Sequence, residues 1–379
     1  MSTLAGFRVL MTTDAVGGVW SYATALCAAL AARGADLHLV SMGPPPRPDQ
    51  RAMLGRTGVR LIETDLALEW QDPDAHHFDH ARRMLLALER EIRPDVVHLN
   101  SFREAAFDWR APVLIVAHSC VHSWGIACKE TAFLQEQRWQ RYRARVADGL
   151  QHAASWVAPS CAFGEVIGRL YEPRRPGTLI WNGTASRSRA RDGKETDGKE
   201  TFVLAAGRMW DKAKNLRALA AAADGVPCPI YVAGAGPDDT IAPPHLQMLG
   251  ELSHRDVSNC MARAAIFASP ALYEPFGLSV LEAATAGCAL VLADIPTFRE
   301  LWQDAAVFVV PTDVRALRST LGWLATDDRA RAMLQEAARQ RADRYTVGRM
   351  ATSYAELYRG LRTQAAPEPQ LNILAEACA

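Results

Sequence analysis

The sequence carries no excess of charge of either sign: Lys plus Arg and Asp plus Glu number 42 each in 379 residues. That balance removes the global electrostatic case for a nucleic-acid partner, though not a local basic patch. No apolar run approaches the roughly 18 residues of a membrane-spanning helix. The opening residues Met1 to Arg8 lack the basic, apolar and small-residue order of a signal peptide, so a cytoplasmic protein is expected. There are eight cysteines (Cys27, Cys120, Cys128, Cys161, Cys228, Cys260, Cys288 and Cys378) but no Cys-x-x-Cys pair. Scattered in this way they read as reduced structural residues and argue against a structural metal site.

What is present is bulk and alternation. Hydrophobic residues make up 49% of a chain too long for one ordinary core, which fits two domains. Strand-like runs at Phe7–Met11, Asp36–Val40, Val96–Leu99 and Val113–Val116 alternate with helical spacing at Gly18–Arg33, 77–92 and 128–150. The second half repeats the scheme, with strands expected at Phe202–Ala206, Ile230–Ala233, Leu246–Leu249, Ile266–Ala268, Leu290–Ala293 and Val307–Val310. Helices are expected between them at 214–224, 254–264 and 279–287. Such alternation predicts an α/β chain of two doubly wound, Rossmann-like parallel sheets facing a central crevice, with ligands beyond the carboxyl ends of the strands. The proline-rich break Tyr171–Gly177 sets the expected boundary. The domains are then 1–174 and 175–346, a last helix 347–363 and a loose tail 364–379. The pentapeptide Asp192–Thr196 recurs at Asp197–Thr201, in a stretch expected to be a polar loop.

Tyr273–Ala283 is the most informative stretch: it follows a strand and opens a helix. Pro275 and Gly277 make a tight turn, and Gly277 leaves the backbone open to a ligand. The first amides of the helix, near Leu278 and Ser279, are unpaired donors at a positive dipole end and suit a phosphate. Glu274 and Glu282 would repel that phosphate at close range, so they make sense as acceptors for hydroxyls on either side of it.

This stretch resembles the Glu-x7-Glu motif of the family 4 glycosyltransferases, retaining enzymes of the GT-B fold. The resemblance extends through Gly287, Pro296, Glu300 and Pro311. It departs at Cys288-Ala289, where the family usually has a proline. It implies that Glu274 sits by the donor sugar and Glu282 holds the nucleotide ribose, with Phe276, Gly277, Leu278 and Ser279 between them. The Gly207–Asn215 segment resembles the family's Gly-Arg pattern followed by a Lys with Gly or Asn. That assigns Arg208 and Lys214 to the diphosphate, with Lys212 the weaker candidate; such cations also stabilise charge developing on the leaving group. By the same resemblance Gly17 and Gly18 form the N-terminal glycine loop, His118 lies near the donor sugar, and Asn182-Gly183 opens the second domain. The base and ribose are expected near Gly236 and Leu252, and helix 347–362 is expected to cross back to the first domain.

The implied reaction moves a hexosyl unit, with retention, from a UDP- or GDP-sugar to a glycan, lipid-linked or small-molecule acceptor. No metal or other cofactor is expected, because fixed cations take the metal's place. Two other readings stay open at this point: an epimerase or hydrolase of sugar nucleotides, and a non-catalytic nucleotide-sugar-binding protein. Asp72-Pro73-Asp74 has the form of a metal-binding Asp-x-Asp but no preceding strand, and His76, His77 and His80 read as a solvated helix start. Arg138, Arg141, Arg143 and Arg145, with Trp139 and Tyr142, read as a solvated helix face; peripheral contact with an anionic membrane is the sharper alternative. Trp70, Trp124 and Trp210 would be sugar platforms only if they face the crevice.

Overall fold

The computed structural model describes residues 3–55, 57–185, 198–236 and 245–363. Residues 192–197 of the duplicated pentapeptide and the segment after Thr363 lie outside the described residues. The chain forms two compact units: one runs to Asn182 and resumes at Val347, the other spans Gly183–Thr346.

The first unit runs β1 (Arg8–Asp14), α1 (Gly18–Ala31), β2 (Asp36–Met42), α2 (Pro48–Ala52), β3 (Arg60–Glu63), α3 (Phe78–Ile92) and β4 (Val96–Leu99). It continues with β5 (Val113–Val116), α4 (Val121–Ala127), α5 (Gln137–His152), β6 (Ser155–Ala158), α6 (Cys161–Tyr171) and β7 (Thr178–Leu179). The strands form one parallel sheet in the order β3-β2-β1-β4-β5-β6-β7. Val9, Leu10 and Met11 are fully buried in succession, because helices cover both faces of the sheet. Two expectations are corrected here. The helix expected over 128–150 starts only at Gln137. Cys128 caps α4, Lys129 turns to φ +56, and the Glu130 amide donates to the Gly125 carbonyl at 2.7 Å, so the chain reverses before α5 begins. The proline-rich segment is not the boundary: it leads into β7, which pairs with β6, and the units divide after Asn182.

The second unit runs β8 (Glu200–Ala206), α7 (Leu216–Ala223), β9 (Ile230–Ala233), β10 (Leu246–Gly250), α8 (His254–Arg263), β11 (Ala264–Ser269) and α9 (Leu278–Thr285). Then come β12 (Ala289–Ala293), α10 (Pro296–Trp302), β13 (Val307–Val309), α11 (Val314–Thr326) and α12 (Asp328–Ala342). Its parallel sheet has the order β10-β9-β8-β11-β12-β13. Phe202 and Leu204 of β8 pack into one hydrophobic layer and Val203 and Ala205 into another, so this sheet too is covered on both faces. The chain then returns to the first unit as α13 (Val347–Thr363). It packs on α1, with the Arg33 guanidinium donating to the Gly348 carbonyl at 2.8 Å and to the Thr352 hydroxyl at 2.9 Å.

Each sheet reverses its winding once, between β1 and β4 in the first unit and between β8 and β11 in the second. The loops leaving such neighbouring strands diverge to opposite faces and leave a recess at their carboxyl ends, where ligands of open α/β sheets bind.

Candidate active site

In the second unit the loops at that recess are Gly207–Asn215, after β8, and 270–277, after β11. Several contacts fix them to each other. The Asn215 side-chain amide donates to the carbonyls of Pro270 (2.8 Å) and Pro311 (2.9 Å), and the Leu272 amide donates to the Ala213 carbonyl at 2.8 Å. Gly234 sits so close beneath that a Cβ there would fall 1.8 Å from the Gly207 oxygen. As a result Lys214 Nζ lies 2.5 Å from Glu274 Oε2, with both side chains mostly buried. Arg208 is more open: its guanidinium lies 3.5 Å from the Asp211 carboxylate and 5.5 Å from the centre of the Trp210 ring. Asp211 is mostly buried and accepts the Ala213 amide at 2.9 Å. Asn215 and Asp211 are therefore the residues that position the two cations. Asn215 was visible in the sequence only as part of the Lys-Asn pair.

Gly277 caps α9 in the left-handed region, at φ +89, and a Cβ there would stand 3.0 Å from the Phe298 ring. No side chain caps this helix, so the amides of its first turn, from Leu278 and Ser279, face outward from its positive end. Phe276 can face a ligand in this loop only through its backbone. Its ring is buried and meets Tyr345 edge-on at 5.9 Å, so it packs the core beneath the loop and presents no side chain to a ligand. Glu282 is half-buried, with Oε1 3.5 Å from Nε2 of His254, the first residue of α8. Leu252 packs on the hydrophobic layer beneath α9, and a Cβ on Gly236 would meet Met248 Cε at 3.0 Å.

In the first unit Gly17 caps α1 and Gly18 opens it. The turn before them is held by the Val16 amide on the Asp14 carboxylate (2.8 Å) and the Gln50 amide on the Ala15 carbonyl (2.9 Å). His118 follows β5. Its Nε2 lies 2.8 Å from Asn100 Oδ1, and the Tyr22 ring meets it edge-on at 4.6 Å. Loss of water around the imidazole holds its pKa down at about 3, so it is neutral at pH 7.

The residues set aside in the sequence have structural partners. Asp72 pairs with the buried Arg103 (3.1 Å) and accepts the His76 (2.8 Å) and His77 (3.1 Å) amides; Asp74 pairs with Arg141 at 3.0 Å. His80 lies 3.4 Å from Asp65. Arg103 also pairs with Glu104 at 2.9 Å. Beside it Glu69 accepts the Phe102 and Arg103 amides, and burial together with the Glu104 charge pushes its carboxyl up to about 7. On α5, Arg138 pairs with Glu136, Arg143 donates to the Leu170 carbonyl and Arg145 covers the Phe78 ring, so this face is tied into the unit's own surface. Trp70 and Trp210 are exposed and Trp124 is half-buried against Phe133. Among the described residues no helix is long and apolar enough to cross a membrane.

Residues 16–186 match the family model for Glycosyltransferase Family 4, and residues 186–341 match that for Glycosyl transferases group 1. A glycogen synthase of Mycobacterium tuberculosis is 26% identical over 411 aligned residues, covering 96% of each chain. A phosphatidyl-myo-inositol mannosyltransferase of Mycolicibacterium smegmatis is 27% identical over 181 residues, 44% of this chain and 46% of that one. The fold matches sucrose-phosphate synthase from Thermosynechococcus elongatus, with a TM-score of 0.75 at 20% identity over 94% of this chain and 99% of that one. It also matches an Anabaena protein solved in complex with UDP and glucose, with a TM-score of 0.72 at 16% identity over 93% of this chain and 100% of that one. Two family models lying end to end, on two doubly wound sheets with a cation-lined recess, carry one conclusion: the chain is a glycosyltransferase of family 4, with the GT-B fold.

Proposed function

We propose that the enzyme moves a hexosyl unit from a UDP- or GDP-sugar to a hydroxyl of a glycan or lipid-linked acceptor, with retention of configuration and without a metal. The observation that carries this reading is the meeting of Lys214 with Glu274 beside the uncapped start of α9. A diphosphate lying along those amides would find Arg208 and Lys214 as counter-ions, and these fixed cations replace the metal that other glycosyl transfers use. As the glycosidic bond breaks, negative charge grows on the leaving phosphate, and preorganised cations and amides stabilise it more than they stabilise the intact donor. Glu274 accepts hydrogen bonds from sugar hydroxyls and Glu282 from the ribose. The first unit supplies Gly17, Gly18 and the neutral His118. No side chain is assigned as a covalent nucleophile. In a front-side displacement the leaving phosphate takes the proton of the attacking hydroxyl.

The reading is supported by the similarity to a glycogen synthase and to a phosphatidyl-myo-inositol mannosyltransferase, one named for a glycan product and the other for a lipid acceptor. Its test is a screen of UDP- and GDP-hexoses, with and without acceptors, reading nucleotide release and the anomeric configuration of the product by NMR. Release of UDP or GDP that rises with acceptor, and a product of unchanged configuration, is expected. Turnover of no donor, or an inverted product, overturns it.

A further inference from the structure

We propose that Asn100 is a positioning residue: it holds His118 in one neutral tautomer, Nε2 protonated, and leaves Nδ1 bare to accept a hydrogen bond from a hydroxyl of the bound sugar. The inference rests on the reading above only in placing His118 at the sugar. The tautomer itself follows from donors and acceptors. The Thr12 carbonyl can only accept, and the Asn100 side chain meets it at 2.6 Å, so the atom there is the NH2 nitrogen. The other end of the amide, 2.8 Å from His118 Nε2, is therefore Oδ1, which also can only accept. Nε2 must carry the proton. The Asn100 backbone is fixed as well, since its amide donates to the Thr12 hydroxyl at 3.0 Å. Thr12, Asn100 and His118 lie on or just beyond the adjacent strands β1, β4 and β5, so the relay is built on the sheet.

The ring's other nitrogen makes no hydrogen bond among the described residues. The groups around the ring do not favour a second proton. Tyr22 of α1 lies edge-on to it; Tyr22 in turn meets His98 of β4 and Tyr354 of α13. His98 is itself buried and neutral, with its pKa held down at about 3. None of these groups is a carboxylate. An aspartate in place of Asn100 would supply the missing negative charge and draw a proton onto Nδ1, turning an acceptor into a donor.

The test uses the full chain labelled with 15N-histidine, with His118 assigned by comparison with His118→Phe. Between pH 5 and pH 8 the wild-type ring should give the signals of the Nε2–H tautomer alone. Asn100→Leu, which removes the acceptor, should admit the Nδ1–H tautomer and lower kcat/KM for the donor about tenfold, the scale of one misdirected hydrogen bond. Asn100→Asp loses the donor to the Thr12 carbonyl but keeps an acceptor for Nε2–H, so it should keep that tautomer and lose activity toward acid as Nδ1 gains a proton. An Nδ1–H or mixed ring in the wild type overturns the proposal without any variant. So does an Asn100→Leu protein whose tautomer or donor kinetics are unchanged. A donor that turns over without perturbing the Nδ1 signal overturns the role at the sugar. Failure of every donor to turn over strikes the glycosyl-transfer reading instead, and the ligand-free spectrum separates the two.

Discussion

Lys214 Nζ and Glu274 Oε2 meet at 2.5 Å although 60 positions separate them in the chain. Both are largely withdrawn from water, so each is the other's main compensation for lost hydration. In the proposed role of Lys214, a donor phosphate would share the ammonium with Glu274 rather than find it free.

Removing one partner therefore acts in two ways. Lys214→Ala should cost about 1–3 kcal/mol of stability, by stranding the Glu274 carboxylate, and should lower turnover by a factor of roughly 100 or more. The double variant Lys214→Met with Glu274→Gln should recover the stability, read by urea denaturation, and none of the turnover. Arg208→Ala should lower turnover on the same scale with little change in stability, since its side chain is 39% exposed. Near-normal rates in either cation variant would remove that residue from the mechanism.

Glu282→Ala should raise the donor Kd about tenfold or more, because ribose hydroxyls lose a charged acceptor. Calorimetric titration with UDP or GDP, without the sugar, suffices for the test. Unchanged affinity would sink the ribose role.

Activity should survive dialysis against EDTA. The Asp72 and Asp74 carboxylates are occupied by Arg103, by backbone amides and by Arg141. Loss of activity with EDTA and its rescue by Mn²⁺ would contradict the metal-free reading.

Gly234→Ala should destabilise the second unit by roughly 3 kcal/mol or more, since φ is +134 and the new Cβ would strike the Gly207 oxygen. Thermal denaturation reads this directly. A neutral substitution would mean that the Gly207 loop is not held as described.

Stability should fall as pH drops below about 6.5. His98 is held down at about 3 in the folded chain, by burial first and by His118 second, against an ordinary value of 6.5. Between those values the unfolded chain binds the extra proton, and folding loses up to about 1.4 kcal/mol per pH unit for one such group. Glu69 works in the opposite direction. Its folded value of about 7 lies above the ordinary 4.5, so its contribution is present at acid pH and is lost as pH rises through 7. Melting curves from pH 4.5 to 8 should therefore show His98→Phe losing less stability toward acid than the wild type. They should show Glu69→Gln losing less toward pH 8.

Fold class and order were legible because buried parallel strands leave apolar runs. Val96–Leu99, Val113–Val116 and Ile230–Ala233 were readable to the residue. Unread strands were those without such runs: β3, half exposed at the sheet edge, the two-residue β7, and β6, where Ser155 and Trp156 break the pattern. Motif spacing brought Arg208, Lys214, Glu274 and Glu282 onto two loops and a helix start. It did not show that Lys214 and Glu274 touch, since that depends on Asn215 bridging to Pro270 and Pro311. Nor did it show that Phe276 turns inward. An aromatic between two loop residues looks alike in sequence whether it faces the core or a ligand.

The return of α13 to the first unit sets an order of assembly. During synthesis the first sheet is complete once β7 emerges, yet His98 Nδ1 still lacks its 2.6 Å hydrogen bond to the Tyr358 hydroxyl and Arg33 still lacks Gly348 and Thr352. The whole second unit must leave the ribosome before that helix exists. The second unit can fold on its own emerging sequence, whereas the first waits for α13. A nascent chain that has cleared the ribosome only as far as Thr346 would thus present a complete second unit and a first unit with its aromatic seam still open to water.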